Sequence, residues 1–570
     1  MNIKKVQKRL DIRFGGNVHI ADTGYSFRLT GTVDTWNQVV EAGLMCAKSG
    51  SKKHIVNDIT VPGLEKPCVI QPKISDAALE GRRPDVLVIG GGVVGCAIAR
   101  ELTKEKMEIL LIDKEYDVAL HASSRNDGMV HPGIDIRPGL LKKKMNNLGN
   151  ALYDKVCKEL DVPFVRSGQF LCFKKISYLP LLILTIPYWN LTAAGKAHVI
   201  TGKTLRRLEP GISPEAKCAL YFDGAGTVCP YGLTIAFAEN AVDNGAEIAL
   251  NTAVSKMEVK DGRIKSVSTN RGTIYPKIVV NAAAGVFAED IAQMAGDRFF
   301  SIHPRKGTNA ILDKKARRHI KTIYTLMGTQ SKSGHTKGGG IVGTVDGNVL
   351  VGPDAAETIE KEDFATHKES IESTFEKHSH AGQWLTTGDI ITYFTGIRAA
   401  TYEEDFIIEK GRLTDNIVHA AGIQSPGLTA APAIGLQVES LVTELLGEKN
   451  KNPKFNPIRK AIIRPKELTD EERANLIKEN PDYGQIVCRC EEVSKGEVLD
   501  AMRRSLPCDT VDGIKRRVRP GMGRCQGSFC GQQVIRLIAE EKQIPLMQVR
   551  KGYPGSEILF GEKGGSREFL

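Results

Sequence analysis

Residues 85–95, Asp-Val-Leu-Val-Ile-Gly-Gly-Gly-Val-Val-Gly, constrain the fold of this chain more tightly than any other stretch. The run from 85 to 89 is mostly apolar and predicts a buried parallel strand. Gly90, Gly92 and Gly95 follow at GxGxxG spacing, and residues 96–103 continue as an amphipathic helix. In such a unit the first glycine permits the tight turn and the second lets a pyrophosphate approach the backbone. The third lets helix and strand pack closely. The helix N-terminus adds free N–H groups and the positive end of a dipole. Glycine-rich turns are common, so the spacing alone also fits an ordinary βαβ unit. A second strand at 108–112 separates the two readings, because it ends in Asp113, 18 residues after Gly95, where a carboxylate can accept from a ribose diol. A dinucleotide site is predicted.

At 570 residues, with 41% hydrophobic and 25% charged, the chain is long enough for several globular domains. Its net charge of +11 is scattered, without a basic stripe interleaved with aromatics, which favours anionic ligands or an acidic partner over nucleic acid. The first ten residues contain no apolar core of a signal peptide. The most apolar run, 179–189, is too short to span a bilayer and contains Pro180 and Pro187, so it reads as a core or interfacial segment. A cytoplasmic protein without an integral membrane segment is expected, with peripheral membrane association left open. Of twelve cysteines, seven are scattered singly and five crowd between 488 and 530.

Residues 1–75 predict a separate small α+β domain. Strands at 18–20 and 25–30 flank an Asp22-Thr23-Gly24 turn, followed by a helix over 36–47 and a closing strand over 54–61. The pattern resembles a BON-type module, with a protein-contact role and a structural cap as alternatives. Residues 82–450 read as one unit. Ala-Ser-Ser-Arg-Asn-Asp-Gly-Met-Val-His-Pro-Gly-Ile stands at 122–134 and Ile-Val-Val-Asn-Ala-Ala-Ala-Gly at 278–285. Gly-Ile-Arg-Ala-Ala-Thr follows at 396–401, then His-Ala-Ala-Gly-Ile-Gln-Ser-Pro-Gly-Leu-Thr-Ala-Ala-Pro-Ala-Ile-Gly at 419–435. In this order the segments resemble the D-amino-acid-oxidase-like flavoprotein superfamily. The resemblance implies an α/β fold in which a Rossmann-type FAD-binding domain is interleaved with an α+β substrate domain, and FAD rather than NAD. It implies cofactor contacts from Gly90, Gly92, Gly95, Asp113, Ser123, Ser124, Gly128, Val254, Gly285, Gly422, Gly427, Leu428 and Thr429. Strands and turns at 206–210, 267–275 and 341–351 would cap the flavin, the last as a hairpin turning at Asp346-Gly347.

A polar linker occupies 451–484. Beyond it, Cys488-Arg-Cys490-Glu-Glu and Gly521-Met-Gly-Arg-Cys525-Gln-Gly-Ser-Phe-Cys530 supply four thiolates as CxC and CxxxxC. Such a set can wrap a small iron–sulfur cluster or a zinc ion, although tetrahedral zinc usually takes CxxC knuckles. These residues resemble the bacterioferritin-associated-ferredoxin-like [2Fe–2S] domain. The resemblance implies a small helical domain over 485–543, with Cys488, Cys490, Cys525 and Cys530 as ligands and Cys508 outside the set. Arg489, Arg517, Arg519 and Arg524 are expected near the net-anionic cluster, and 544–570 form a C-terminal tail.

A flavin beside such a cluster implies a dehydrogenase that passes electrons to a partner rather than an oxidase that makes peroxide. An alcohol substrate also needs a base. An imidazole can serve as that base near neutral pH, and the resemblance puts His131 on the substrate side of the flavin, where packing against the cofactor is its other reading. Arg398 offers a bidentate fork to a carboxylate or phosphate, unless it is spent on an ion pair with Glu403 or Asp405. Within the superfamily the similarity is greatest to glycerol-3-phosphate dehydrogenases and oxidases. It implies His131, Lys306, Arg398 and Ser425 around the substrate, with Arg305 as an alternative to Lys306. The expected reaction is oxidation of sn-glycerol 3-phosphate to dihydroxyacetone phosphate. Alternatives are a 2-hydroxyglutarate-type dehydrogenase, an amino-acid or amine dehydrogenase subunit, and a non-catalytic electron-transfer subunit. The expected partners are a small anionic substrate and an electron-accepting subunit, in a homo- or hetero-oligomer.

Overall fold

A strand with no polar face belongs in the middle of a layered sheet, and Val86–Ile89 lies there in the computed structural model. The structure describes residues 2–48, 52–65, 67, 69–283, 285–327, 339–447, 450–559 and 561. The six-stranded sheet runs Glu247–Ala249, Ile109–Ile112, Val86–Ile89, Ile278–Asn281, Ile417–Ala421 and Ile407–Lys410, in that order. The first five strands are parallel and the last is antiparallel. Val86 and Val88 pack against helices Val93–Leu102, Pro230–Asp243 and Gly427–Leu446. Leu87 and Ile89 face the small sheet made by Val254–Lys260, Arg263–Thr269 and Gly272–Ile274. This is the doubly covered α/β arrangement expected for a dinucleotide fold.

A second sheet of nine strands forms the substrate domain. Its longest pair, Ile302–Leu312 against Ile390–Thr401, runs antiparallel with Arg305 opposite Arg398. Gly340–Gly343 and Val349–Gly352 form the expected hairpin, with Gly347 at φ +86° in the turn. Residues 206–208 are not extended as expected. They end the helix Gly202–Leu208, whose Leu205 inserts into the substrate-domain core while Arg206 and Arg207 stay in solvent. Residues 179–189 also form a helix, Leu179–Thr192, with Pro180 tolerated in its first turn and Pro187 in its interior. Among the described residues no helix is long and apolar enough to cross a membrane.

At the N-terminus, Val18–Asp22, Ser26–Thr32 and His54–Thr60 make a mixed three-stranded sheet backed by Trp36–Cys46. A further helix, Ile3–Phe14, precedes them, burying Val6, Leu10 and Phe14 along one side. Its Lys- and Arg-rich sequence hides that four-residue spacing. Tyr402, one residue beyond the strand that carries Arg398, enters the core of this N-terminal unit. Asn57 Nδ2 donates to Tyr402 Oη at 2.9 Å, and the Ile55 N–H donates to Glu403 at 2.7 Å.

The cysteine-rich end folds as a hairpin, Ile486–Cys488 with Val493–Ser494, and helices Lys495–Arg503, Val511–Val518 and Gly531–Lys542 around their own core. It is docked by buried charge pairs. Arg459 and Arg504 reach Glu239 at 2.5 and 2.6 Å, and Arg516 and Arg517 reach Asp117 at 3.0 and 2.8 Å. Loss of one partner from a buried pair of this kind costs about 3–5 kcal/mol, because the other charge is stranded. The segment expected as a linker carries a helix, Asp470–Glu479, closed by a Thr469–Glu472 capping box.

Candidate functional site

A cavity of about 630 Å³ begins at the glycine loop and ends between the two sheets. Gly90 takes φ +119° and a side chain there would meet the Ala282 carbonyl oxygen at 2.5 Å. At Gly95 a Cβ would overlap the Gly90 carbonyl oxygen, so turn and helix close only around glycine. A Cβ at Gly92 would meet no backbone and only Ser123 Oγ, at 3.1 Å, a hydroxyl that accepts from the Val93 N–H at 2.9 Å. The space this leaves at the helix N-terminus fits a pyrophosphate. Asp113 lines the same region, but one carboxylate oxygen already accepts from the Gly91 N–H and the other from the Glu115 N–H at 2.8 Å. Burial, reinforced by the charge of Glu115, raises its pKa.

Ser123, Val254, Gly285, Gly427 and Leu428 also line the cavity; Gly95, Ser124, Gly128, Gly422 and Thr429 do not. Several of the latter shape it from behind. Thr429 Oγ1 accepts from the His131 N–H at 2.9 Å. A Cβ on Gly128 would lie 2.5 Å from the Val228 carbonyl oxygen, so strand Gly226–Val228 can press against the residues leading to His131.

The cavity is lined by His131, Arg398 and Ser425, but not by Lys306. Alternation along the strand turns Arg305 and Gly307 inward and Lys306 away, where its ammonium pairs with Asp363 at 2.6 Å. The cation facing the cavity from this strand is therefore Arg305, itself held by Glu357 at 2.6 Å and Glu404 at 3.1 Å. Gly307 leaves room for the Arg398 guanidinium, which a Cβ there would strike. Arg398 Nη2 donates to the Asp354 carbonyl at 3.0 Å. Among the described residues it has no carboxylate at ion-pairing distance. Glu403 is engaged by Ile55 and His54, and Asp405 caps helix Leu141–Glu159 by accepting from Leu141 and Lys142. Burial and the like charge of Arg305 lower the Arg398 pKa, so an anion at this point would relieve both penalties. Lys377 and Asn309 line the cavity too and carried no sequence signal: Lys377 sits in an ordinary polar helix.

The main chain of His131 is fixed on both sides. Its N–H donates to Thr429, and its carbonyl accepts from Asn146 at 3.3 Å and Asn150 at 2.9 Å. His131 lines the cavity from this fixed backbone.

In the C-terminal unit the two cysteine loops meet. Cys490 Sγ and Cys525 Sγ are 3.7 Å apart, and a Cβ on Gly523 would strike Cys490. The neighbouring Cys530 thiol and the N–H groups of Gly521, Glu491 and Cys490 hold the Cys488 thiol well below its usual range. Four sulfurs, backbone donors, and the start of helix Gly531–Lys542 directly after Cys530 suit a thiolate-bound anionic cluster. Cys508 lies apart, bonded to the Ala501 carbonyl within the core. The expected basic surroundings differ. Arg517 is spent on Asp117 across the junction, and Arg519 divides between Asp346 across the junction and Glu491 directly after Cys490. Across that junction Tyr231 Oη contacts Met522 Sδ at 3.3 Å.

Comparison with known proteins agrees with this geometry. Residues 85–441 match the FAD dependent oxidoreductase family, and residues 486–540 match the BFD-like [2Fe-2S] binding domain. The chain is 38% identical over 477 residues to a glycerol 3-phosphate dehydrogenase of Caloramator mitchellensis, covering 84% of this chain and 98% of that protein. It is 27% identical to a mitochondrial L-2-hydroxyglutarate dehydrogenase of Arabidopsis thaliana, covering 62% and 82%. Among solved structures it resembles the L-alpha-glycerophosphate oxidase of Mycoplasma pneumoniae with FAD bound, at TM-score 0.61 and 28% identity over 66% of this chain and 98% of that one.

Proposed function

The chain belongs to the FAD-dependent oxidoreductase family and carries a BFD-like [2Fe–2S] domain; from that premise we propose that it is a dehydrogenase of sn-glycerol 3-phosphate. The product would be dihydroxyacetone phosphate, with two electrons and two protons removed at C2. The observation that carries the reading is Arg398, a guanidinium facing the cavity with no carboxylate partner among the described residues. A phosphate ester fits its planar fork. When bound, FAD supplies a two-electron acceptor and the [2Fe–2S] cluster a one-electron relay.

The residues divide the remaining work. Arg398 binds and orients the phosphate. His131, immobilised through its backbone, takes the C2 hydroxyl proton at an imidazole nitrogen. Ser425 donates a hydrogen bond to a substrate oxygen. Arg305, held by Glu357 and Glu404, stands beside Arg398 as a second cation at the cavity. Transfer onward to an electron-accepting partner is supported by exposure at the cluster loops: Cys490 is exposed, and Phe529 is 83% exposed beside Cys530.

Anaerobic mixing tests the substrate assignment. Glycerol 3-phosphate is expected to bleach the flavin absorbance within one turnover time, while 2-hydroxyglutarate and amino acids leave it unchanged. Bleaching by 2-hydroxyglutarate instead would assign the anion site to a carboxylate. His131→Asn is expected to slow bleaching by ~100-fold or more with FAD still bound. A near-normal rate would take the proton-transfer role away from His131.

A further inference from the structure

Helix Leu179–Thr192 is apolar on all sides, yet only one side is covered. Leu182 is buried, and Leu179, Ile186 and Trp189 join it against Ala197, Leu220 and Phe222 at the end of the nine-stranded sheet. The opposite side is bare: Leu181 is 57% exposed, Ile183 55%, Leu184 77% and Leu191 86%, with Ile176 and Tyr188 beside them. Scattered exposed apolar side chains are ordinary, but a contiguous group of this size marks a contact surface. A helix hydrophobic all round is normally enclosed. At 14 residues it is about 21 Å long, short of the ~30 Å hydrocarbon core. It can lie along a bilayer but cannot cross one.

Charge decides between a bilayer and a second copy of the chain. Residues 176–194 contain no charged side chain. Residues 174–217 around them hold seven Lys or Arg against two acids, Glu209 and Glu215. Glu209 is buried and accepts from Lys321 and Thr322, while Glu215 is paired with Lys174 at 2.7 Å. Asp223, beside Lys196, accepts from its backbone N–H. Lys175 and Lys196 flank the helix, both exposed. Two copies meeting at this helix would bring like-charged rims together, whereas an anionic lipid surface complements both the apolar side and its rim.

We propose that helix Leu179–Thr192 seats the protein on an anionic phospholipid surface. Its leucines and isoleucines enter the boundary between headgroups and acyl chains, and Lys175 and Lys196 lie against lipid phosphates. Tyr178 and Tyr188 suit the headgroup level, with an apolar body and a polar tip. The seat lies next to the flavin cavity, since Trp189 lines that cavity and the Ala194 N–H donates to Pro132, the neighbour of His131, at 2.9 Å. The inference does not depend on which substrate the cavity takes.

Co-sedimentation of the full-length holoprotein with vesicles tests it. The protein is expected to pellet with vesicles of 30% phosphatidylglycerol in phosphatidylcholine and to remain largely in the supernatant with phosphatidylcholine alone. Leu184→Glu with Leu191→Glu should lower the partition coefficient by ~100-fold while flavin and iron content stay at wild-type levels. Lys175→Glu with Lys196→Glu should erase the preference for phosphatidylglycerol. Undiminished pelleting of the leucine variant would overturn the proposal. So would a wild-type protein that ignores the anionic vesicles, or one that runs as a dimer and becomes a monomer on the leucine substitutions.

Discussion

Cys525→Ser is expected to remove the visible iron–sulfur absorption and to leave iron at less than ~10% of the wild-type content, while the flavin spectrum persists. The sulfur of Cys525 faces that of Cys490 at 3.7 Å, and no other thiol among the described residues is placed to replace it. Cys508, the nearest by sequence outside the four, is bonded within the helical core. A serine oxygen is a harder, weaker ligand for iron than a thiolate. The flavin cavity is built by residues outside this unit, and the unit's docking pairs on Asp117 and Glu239 do not involve Cys525. Iron analysis with the visible spectrum measures both halves of the expectation. A full complement of iron in the variant would take Cys525 out of the ligand set, and stoichiometric zinc in the wild type would replace the cluster assignment altogether.

Arg398→Met is expected to lower kcat/KM for glycerol 3-phosphate by ~10²–10³-fold, the range for removing a desolvated charge partner. Methionine keeps much of the packing volume and relieves the repulsion with Arg305, so FAD retention and thermal stability should change little. The sharper readout is discrimination. The wild type should favour glycerol 3-phosphate over glycerol by a large factor, and the variant should lose most of that preference because only the charged ester engages the guanidinium. An unchanged ratio would assign phosphate recognition elsewhere, with Lys377 the first candidate, since it faces the same cavity.

The cofactor-binding half of the molecule was legible in the sequence because its constraints are local. Gly90, Gly92 and Gly95 are dictated by a turn and a close approach, and four apolar residues in a row, Val86 to Ile89, announce a strand covered on both faces. The cysteine loops are legible for the same reason: chemistry fixes both residue type and spacing. The substrate end is not local. Arg305 and Lys306 are adjacent, and only the register of an eleven-residue strand decides which one faces the cavity. Lys377 arrives from a helix without any motif. The role of Arg517 and Arg519 was hidden similarly, because their partners Asp117 and Asp346 lie 400 and 173 residues away. Pattern reports what neighbours in sequence require of each other; it is silent where two remote surfaces meet.

Tyr402 carries a consequence for how the molecule comes apart. Its ring belongs to the core of the N-terminal unit, so close to Gly43 that a Cβ there would overlap it, yet its backbone continues the strand that holds Arg398. The boundary between the two units is therefore a boundary in sequence and not in energy. Heating should give one cooperative transition for both rather than an early, separate melt of the first 61 residues. Tyr402→Ala, leaving a ring-sized hole on one side and, on the other, an Asn57 amide that keeps the Val39 carbonyl but loses the phenol oxygen, should lower the stability of the joint unit by about 3–5 kcal/mol. Two resolved calorimetric peaks in the wild-type protein would refute the shared core.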